Sequence, residues 1–518
     1  MNRKQKALVL LLAGCMCIAA GCGQTAKTEE KPPEALPEEE SGEEEVRSAP
    51  QLLIQRENFD KYEQDTDRWL LHMEYDVPEV SGDGYEAVSE GVRKWSGERV
   101  QELQELAEQY AGYAEEEAAS PDAYGDYYQY SIFEDVKPAR ADKYVISMLE
   151  LNSEYTGGAH GSYGYTGITF DSGSGQILEL EDILTDSGEF RAAAIEYITE
   201  KLQEQYGDGL ISGYEEAVKD IWTRNEGPNW YLDAAGITFI FNPYEIGPYA
   251  MGAVYVTAPY TEFASYIKAG YAGMSDSGTA KIPENETVAL PENTAQGDQP
   301  AQLRVYQKTE EEYGDGPVYV ELGDSAAEAG NFARMGDAYL LKKEDGRSFV
   351  ILDADYASDD FVTFVYELTD GTLQERDRLE GVSLQDGTVN TETLTLRMHL
   401  DVLGTYSSLM NYTIGEDGRL VQGEEFFRIQ PDDTGQKMLI TVRELPVVIE
   451  GKETVLPKGT RLYITGTDNE GTAVFHNEDT QTDGEIRYTR GDKGEDTWTI
   501  YIDGIPDYEY FETIPYAG

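Results

Sequence analysis

All three cysteines of this 518-residue chain, Cys15, Cys17 and Cys22, fall within its first 22 residues. Whatever follows must fold without a disulfide framework, and it offers no cysteine nucleophile. Material for an apolar core is present. Hydrophobic residues make up 40% of the chain, and 37 Tyr raise the aromatic share to 11%, too much for a wholly disordered acidic polymer. The length suggests about three or four domains.

Charge excludes several partners. The chain has 100 Asp and Glu against 40 Lys and Arg, a formal net charge of -60. Such a surface repels phosphate, which rules out nucleic-acid binding and attachment to an anionic bilayer through a basic patch. The excess serves solubility, or it draws in basic partners, with only charges within about 8 Å of a contact counting at physiological salt.

Residues 1–22 read as an export signal. Arg3, Lys4 and Lys6 precede an apolar run from Ala7 to Gly21. That run matches a signal-peptide core and falls short of the roughly 20 residues a membrane-spanning helix needs. Leu12-Ala13-Gly14-Cys15 and Ala19-Ala20-Gly21-Cys22 both resemble the lipobox of bacterial lipoproteins, whose cysteine is acylated and becomes the mature N-terminus. Cys22 is preferred, because cleavage before Cys15 leaves a core of only about eight residues. Leu12 fits the lipobox better than Ala19, so Cys15 stays as the alternative cysteine, and an ordinary secretory signal is the lesser alternative to a lipoprotein signal. No second apolar run of about 18 residues follows. The expected location is the outer face of the bacterial cytoplasmic membrane, with the lipid as the only membrane attachment.

Residues 23–50 read as a tether: Pro32, Pro33 and Pro37 lie among nine Glu between Glu29 and Glu45, a self-repelling, extended composition. From residue 51 the pattern becomes globular. Trp69 to Pro78 reads as a strand, and Val88, Val92, Trp95, Leu103, Leu106 and Tyr110 as one face of a helix with a kink or break near Gly97. Strands at Tyr127–Phe133 and Lys143–Tyr155 lead to a probable hairpin, Gly164–Phe170 with Ile177–Leu180. Asp186 and Glu189 then open a helix with the stripe Phe190, Ala194, Tyr197, Ile198 and Leu202. A shorter helix uses Tyr214, Val218, Ile221 and Trp222, and strands at Ile237–Phe241 and Ala253–Thr257 complete an α+β reading: an antiparallel sheet with packed helices over 51–270, divided into 51–150 and 151–270.

The stretch 271–302, with Pro283, Pro291 and Pro300, reads as a linker. Asp-Gly pairs at 345–346, 370–371, 386–387 and 417–418 punctuate short β-rich runs, so 303–430 reads as all-β. Residues 437–518 give about five short strands around Leu456-Pro457-Lys458-Gly459, weakly similar to a small bacterial SH3-like barrel.

Three features carry a wider likeness: the Tyr75-Asp76-Val77-Pro78 strand before a long helix, the element Tyr155-Thr156-Gly157-Gly158-Ala159-His160-Gly161, and the Phe241–Gly252 segment. With them, residues 51–270 resemble the paired extracytoplasmic domains of the lysozyme-sensing anti-sigma factor RsiV and of the peptidoglycan deacetylase PdaC, domains of unknown function. The resemblance implies a partner-binding module outside the membrane. Neither anti-sigma nor deacetylase activity is carried over, because the sigma-binding segment, transmembrane helix and catalytic domain have no counterpart here.

Candidate ligand contacts are Tyr155, Gly157, Gly158, His160, Gly161, Tyr244, Pro248 and Tyr249. Glycines let a partner approach the backbone, or they serve a tight turn that His160 holds by a hydrogen bond. Tyr244, Pro248 and Tyr249 sit on a Gly/Pro-bounded loop that either recognises a partner or packs on a sheet edge. The four histidines, His72, His160, His399 and His476, have no zinc spacing. Turns at Thr467–Gly471 and Gly491–Asp496 offer calcium-type oxygens, yet neither follows the EF-hand order, and solvated turns are the simpler reading. No nucleophile elbow or phosphate loop is present.

The expectation is a lipid-anchored, non-catalytic binding or sensor protein without cofactor or metal, recognising a basic protein such as lysozyme or an envelope ligand such as peptidoglycan. The alternatives are a cell-wall glycan enzyme using paired carboxylates and a passive wall-attached spacer.

Overall fold

A computed structural model describes residues 48–63, 69–119, 129–224, 227–291, 300–309, 315–357, 360–430, 437–491 and 499–516. Cys15, Cys22, the signal segment and nearly all of the tether lie outside these residues, as does most of the Gly491–Asp496 turn.

The first elements are β1 (Gln51–Tyr62) and β2 (Trp69–Ser81), an antiparallel pair, then helix α1 (Glu86–Ala118) and β3 (Tyr130–Asp142), which lies parallel to β2. β2 continues through Pro78, because β3 leaves β2 at Tyr75 and no ladder bond is lost there. α1 passes Gly97 without a break, and nothing crowds that glycine. Beyond it the buried stripe changes to Leu103, Ala107, Ala111 and Ala114, small side chains that let the helix settle closely on β2.

β4 (Val145–Tyr155) pairs with β3 and with β5 (Ser162–Asp171). The expected second hairpin arm shrinks to one bridge, Phe170 to Ile177, because the chain turns at Leu180 into the short helix α2 (Leu180–Ile183). Next come α3 (Ser187–Tyr206) and α4 (Tyr214–Asp220). Asp186 caps α3 by accepting the Glu189 N–H at 2.9 Å, and Phe190, Ala194, Ile198 and Leu202 form its buried face. That face packs on a three-stranded sheet of β6 (Trp230–Leu232), β7 (Gly236–Phe241) and β8 (Val254–Pro259).

The stretch expected to be a linker enters the main sheet. Within it β9 (Gly278–Lys281) pairs with β3 on one side and with β14 on the other, where β14 spans Arg334–Lys342. Also from this stretch, β10 (Val288–Leu290) starts a four-stranded sheet with β11 (Ala301–Gln307), β12 (Gly316–Leu322) and β13 (Ser325–Phe332). β15 (Ser348–Asp355), β16 (Phe361–Thr369) and β17 (Thr372–Glu380) complete a ten-stranded sheet that runs from β1 to β17. Its middle strands are covered on both faces. Leu340, Val350, Leu352 and Phe364 meet the four-stranded sheet, while Tyr339, Leu341, Phe349 and Ile351 meet β18 (Val382–Val389), β19 (Leu394–Asp401) and β20 (Thr405–Ile414). Burial on both faces explains the continuous apolar runs Phe349-Val350-Ile351-Leu352 and Phe364-Val365-Tyr366.

Three Asp-Gly pairs are turns. At Asp370-Gly371 both residues have positive φ, 48° and 70°, the geometry that a two-residue hairpin requires. Asp386-Gly387 instead lies inside β18 at a register shift. The strands of 438–487 join β18 to β20 and Phe427–Ile429 in one eleven-stranded sheet, and no closed barrel forms among the described residues. The fold is mostly β, with a few helices packed in its first half. No described helix is long and apolar enough to cross a membrane.

Candidate functional site

The loop joining β4 to β5 is built on its glycines. Gly157 and Gly158 take φ of 88° and 105°, and the Tyr155 hydroxyl donates to the Gly158 carbonyl at 3.2 Å. A Cβ on Gly161 would lie 2.5 Å from the Glu154 carbonyl oxygen, so the loop closes only without one. His160 is exposed, with Nδ1 2.8 Å from the Gly161 carbonyl oxygen. A carbonyl only accepts, so the neutral ring carries its proton on Nδ1 and leaves Nε2 as an acceptor.

Two asparagines bring the second loop alongside. Asn242 accepts the Tyr165 N–H at 2.7 Å and donates to the Tyr165 carbonyl at 3.0 Å, taking the place of a neighbouring strand on β5. Asn229 bonds the Gly167 N–H and the same Tyr165 carbonyl. Glu245, paired with Arg224, accepts the Asn242 N–H at 2.8 Å and fixes the start of the 242–252 loop. These contacts place Tyr249 over the first loop. Its hydroxyl donates to the Gly161 carbonyl at 3.0 Å, and its ring stacks on His160 at 4.3 Å and 23°.

Tyr163 meets Tyr249 edge-on at 5.6 Å, and Tyr244 lies 5.6 Å away on another side. Tyr244 is 63% exposed and has φ of 72°, unusual for a bulky side chain. Backbone strain of this kind gathers at ligand contacts. Pro248 is exposed and leads into the turn that carries Tyr249.

Of the candidate residues, His160, Gly161, Tyr244 and Tyr249 come together. Tyr155, Gly157 and Gly158 shape the loop itself, and Pro248 borders it. The His160 ring bonds the hairpin backbone, as the turn reading expects, and it remains exposed. Sequence reasoning passed over Tyr163, Tyr165 and Tyr255, an edge-to-face row behind Tyr249. The i, i+2 spacing of Tyr163 and Tyr165 on one strand face was the available signal. Asn229 and Asn242 carry no such signal.

Elsewhere, Asp468 of the calcium-type turn accepts the N–H groups of Glu470, Gly471 and Thr472, so that oxygen closes its own turn. No group of three or more potential metal ligands gathers among the described residues.

Residues 181–261 match a family model, DUF3298, described as a protein of unknown function. Tyr244 and Tyr249 fall inside that span, and His160 precedes it. Two solved structures are similar. A DUF3298 family member from Bacteroides fragilis is 22% identical over 43% of this chain and 96% of its own, with a TM-score of 0.35. A DUF3298 family protein from Pseudomonas aeruginosa is 16% identical over 45% of this chain and 100% of its own, with a TM-score of 0.33. No curated protein matches the chain.

Proposed function

We propose that this chain is a non-catalytic binding protein, lipid-anchored through Cys22 on the outer face of the bacterial cytoplasmic membrane. Its recognition surface is the aromatic face of His160, Tyr163, Tyr244 and Tyr249, and its partner is a basic protein such as lysozyme. The observation that carries this reading is the stack of His160 on Tyr249 beside the strained, exposed Tyr244. Tyrosines supply large contact area at low entropy cost, and a net charge of -60 favours a cationic partner. The reading takes 51–270 as an RsiV-like pair.

Titration of the full chain against lysozyme and against soluble peptidoglycan fragments tests it. Lysozyme binding should weaken with salt. His160→Ala with Tyr244→Ala should weaken it by about tenfold or more. Binding of neither ligand, or equal binding by the double variant, overturns the proposal.

A further inference from the structure

The ten-stranded sheet has a seam. On the side of β3 away from β4, β2 pairs only as far as Glu134, and β9 takes over only at Arg140. Between them β3 has no neighbouring strand among the described residues, and side chains take the missing bonds. Asp76 accepts the Val136 N–H at 2.9 Å, and the Tyr339 hydroxyl donates to the Pro138 carbonyl at 3.1 Å. A cleft opens at this gap, lined by Arg56, Asp76, Asp135, Lys137 and Asp337 under an edge of β18.

The ion pairs in the cleft are redundant in a particular way. Arg56 is held by both Asp76 oxygens, at 3.0 and 3.3 Å, and also by Asp135 at 2.8 Å. Asp337 is held by Lys281 at 2.6 Å and by Lys137 at 3.6 Å. If Asp135 turned to a ligand, Arg56 would keep Asp76. If Lys137 did so, Asp337 would keep Lys281. Arg56 and Asp337 would each keep a partner, and it is the loss of the last partner of a buried charge that normally makes such exchanges expensive. Asp135 and Lys137 are also the better exposed members, at 32% and 45%. Two apart on one strand, they project to one face about 7 Å apart.

We propose that this seam is a binding site for a small zwitterion, a free α-amino acid or a dipeptide with both ends free. Asp135 takes the ammonium group and Lys137 the carboxylate. An anion alone would meet the three carboxylates of the cleft, and a cation alone would meet Arg56 and Lys137. A ligand carrying both charges matches the alternation.

Calorimetric titration of the full chain with L-alanine and with the dipeptide alanyl-alanine tests the site, with N-acetylated and C-amidated dipeptides as controls. The free dipeptide should bind at least about tenfold tighter than either capped form. Asp135→Asn should remove the penalty for acetylation, and Lys137→Met the penalty for amidation. Binding of alanine as well would place a free amino acid in the cleft, whereas binding of the dipeptide alone would place a dipeptide with both ends free there. The proposal fails if neither zwitterion binds up to about 10 mM, if capped and free forms bind alike, or if both variants match the parent.

Discussion

Arg140 and Asp142 form an ion pair with both side chains fully excluded from solvent, Nη2 and Oδ2 lying 2.9 Å apart. The pair reaches well beyond itself. Arg140 donates to the Tyr260 hydroxyl and to the carbonyls of Tyr271 and Gly273, while Asp142 accepts the N–H groups of Tyr144, Val145 and Ser275. It therefore ties the end of β3 to the segment that leads into β9.

Removing one partner strands the other charge. Arg140→Met should lower the unfolding free energy by about 3–5 kcal/mol in a denaturant melt, although it nearly preserves volume. A loss under about 1 kcal/mol would mean that the pair is dispensable.

His72 should make stability fall at alkaline pH. Burial alone would lower its pKa, but Asp60 at 2.6 Å and Glu74 at 3.2 Å outweigh that and raise it to about 9. A folded value above the unfolded one means that the stabilisation is complete below about pH 6.5. It is lost as pH rises through about 9. The contribution is about 2–3 kcal/mol. Thermal melts between pH 6 and 10 should show this slope in the parent and a flatter one in His72→Gln.

Glu134 and Glu150 form a second pH-dependent group beneath α1. Burial, then repulsion by Glu150, raises Glu134 well above the usual carboxylate range, although Arg99 contacts both acids at 2.9 and 2.7 Å. The folded state thus keeps a proton that the unfolded state gives up, and stability declines as pH rises through neutrality. Glu134→Gln should flatten that decline and match or exceed the parent at pH 8. Destabilisation at every pH would contradict the shared proton.

Gly167 sets the contact between β5 and the small sheet. A Cβ there would lie 1.9 Å from the Trp230 carbonyl oxygen and 3.1 Å from Tyr231 Cβ. Gly167→Ala should cost about 1–3 kcal/mol. Because Asn229 and Asn242 bridge this same contact, it should also disturb the ring of His160, read as a shift of its imidazole resonances in NMR. An unchanged histidine spectrum would uncouple the two loops.

Much of the helical structure is legible in the residues. Asp186, Glu189 and the stripe Phe190, Ala194, Ile198 and Leu202 announce α3, because a cap and a 3.6-residue period concern only neighbours along the chain. Gly97 misleads for the opposite reason: its effect on α1 depends on β2, against which the helix is held. The stretch 271–302 looks like a linker because prolines and polar residues dominate it. Four residues of it, Gly278–Lys281, become a strand only because β3 and β14 lie on either side.

The residue types of the candidate site are readable too: a glycine loop carrying one histidine, and a Tyr/Pro loop about ninety residues later. By itself the sequence determined those two loops, since turns answer to glycine dihedrals and to side chains a few positions away. That His160 meets Tyr249 was decided by the tertiary structure alone. Their meeting depends on strand register and on two asparagine side chains standing in for a strand, and distant partners of that kind leave no periodic trace in a chain.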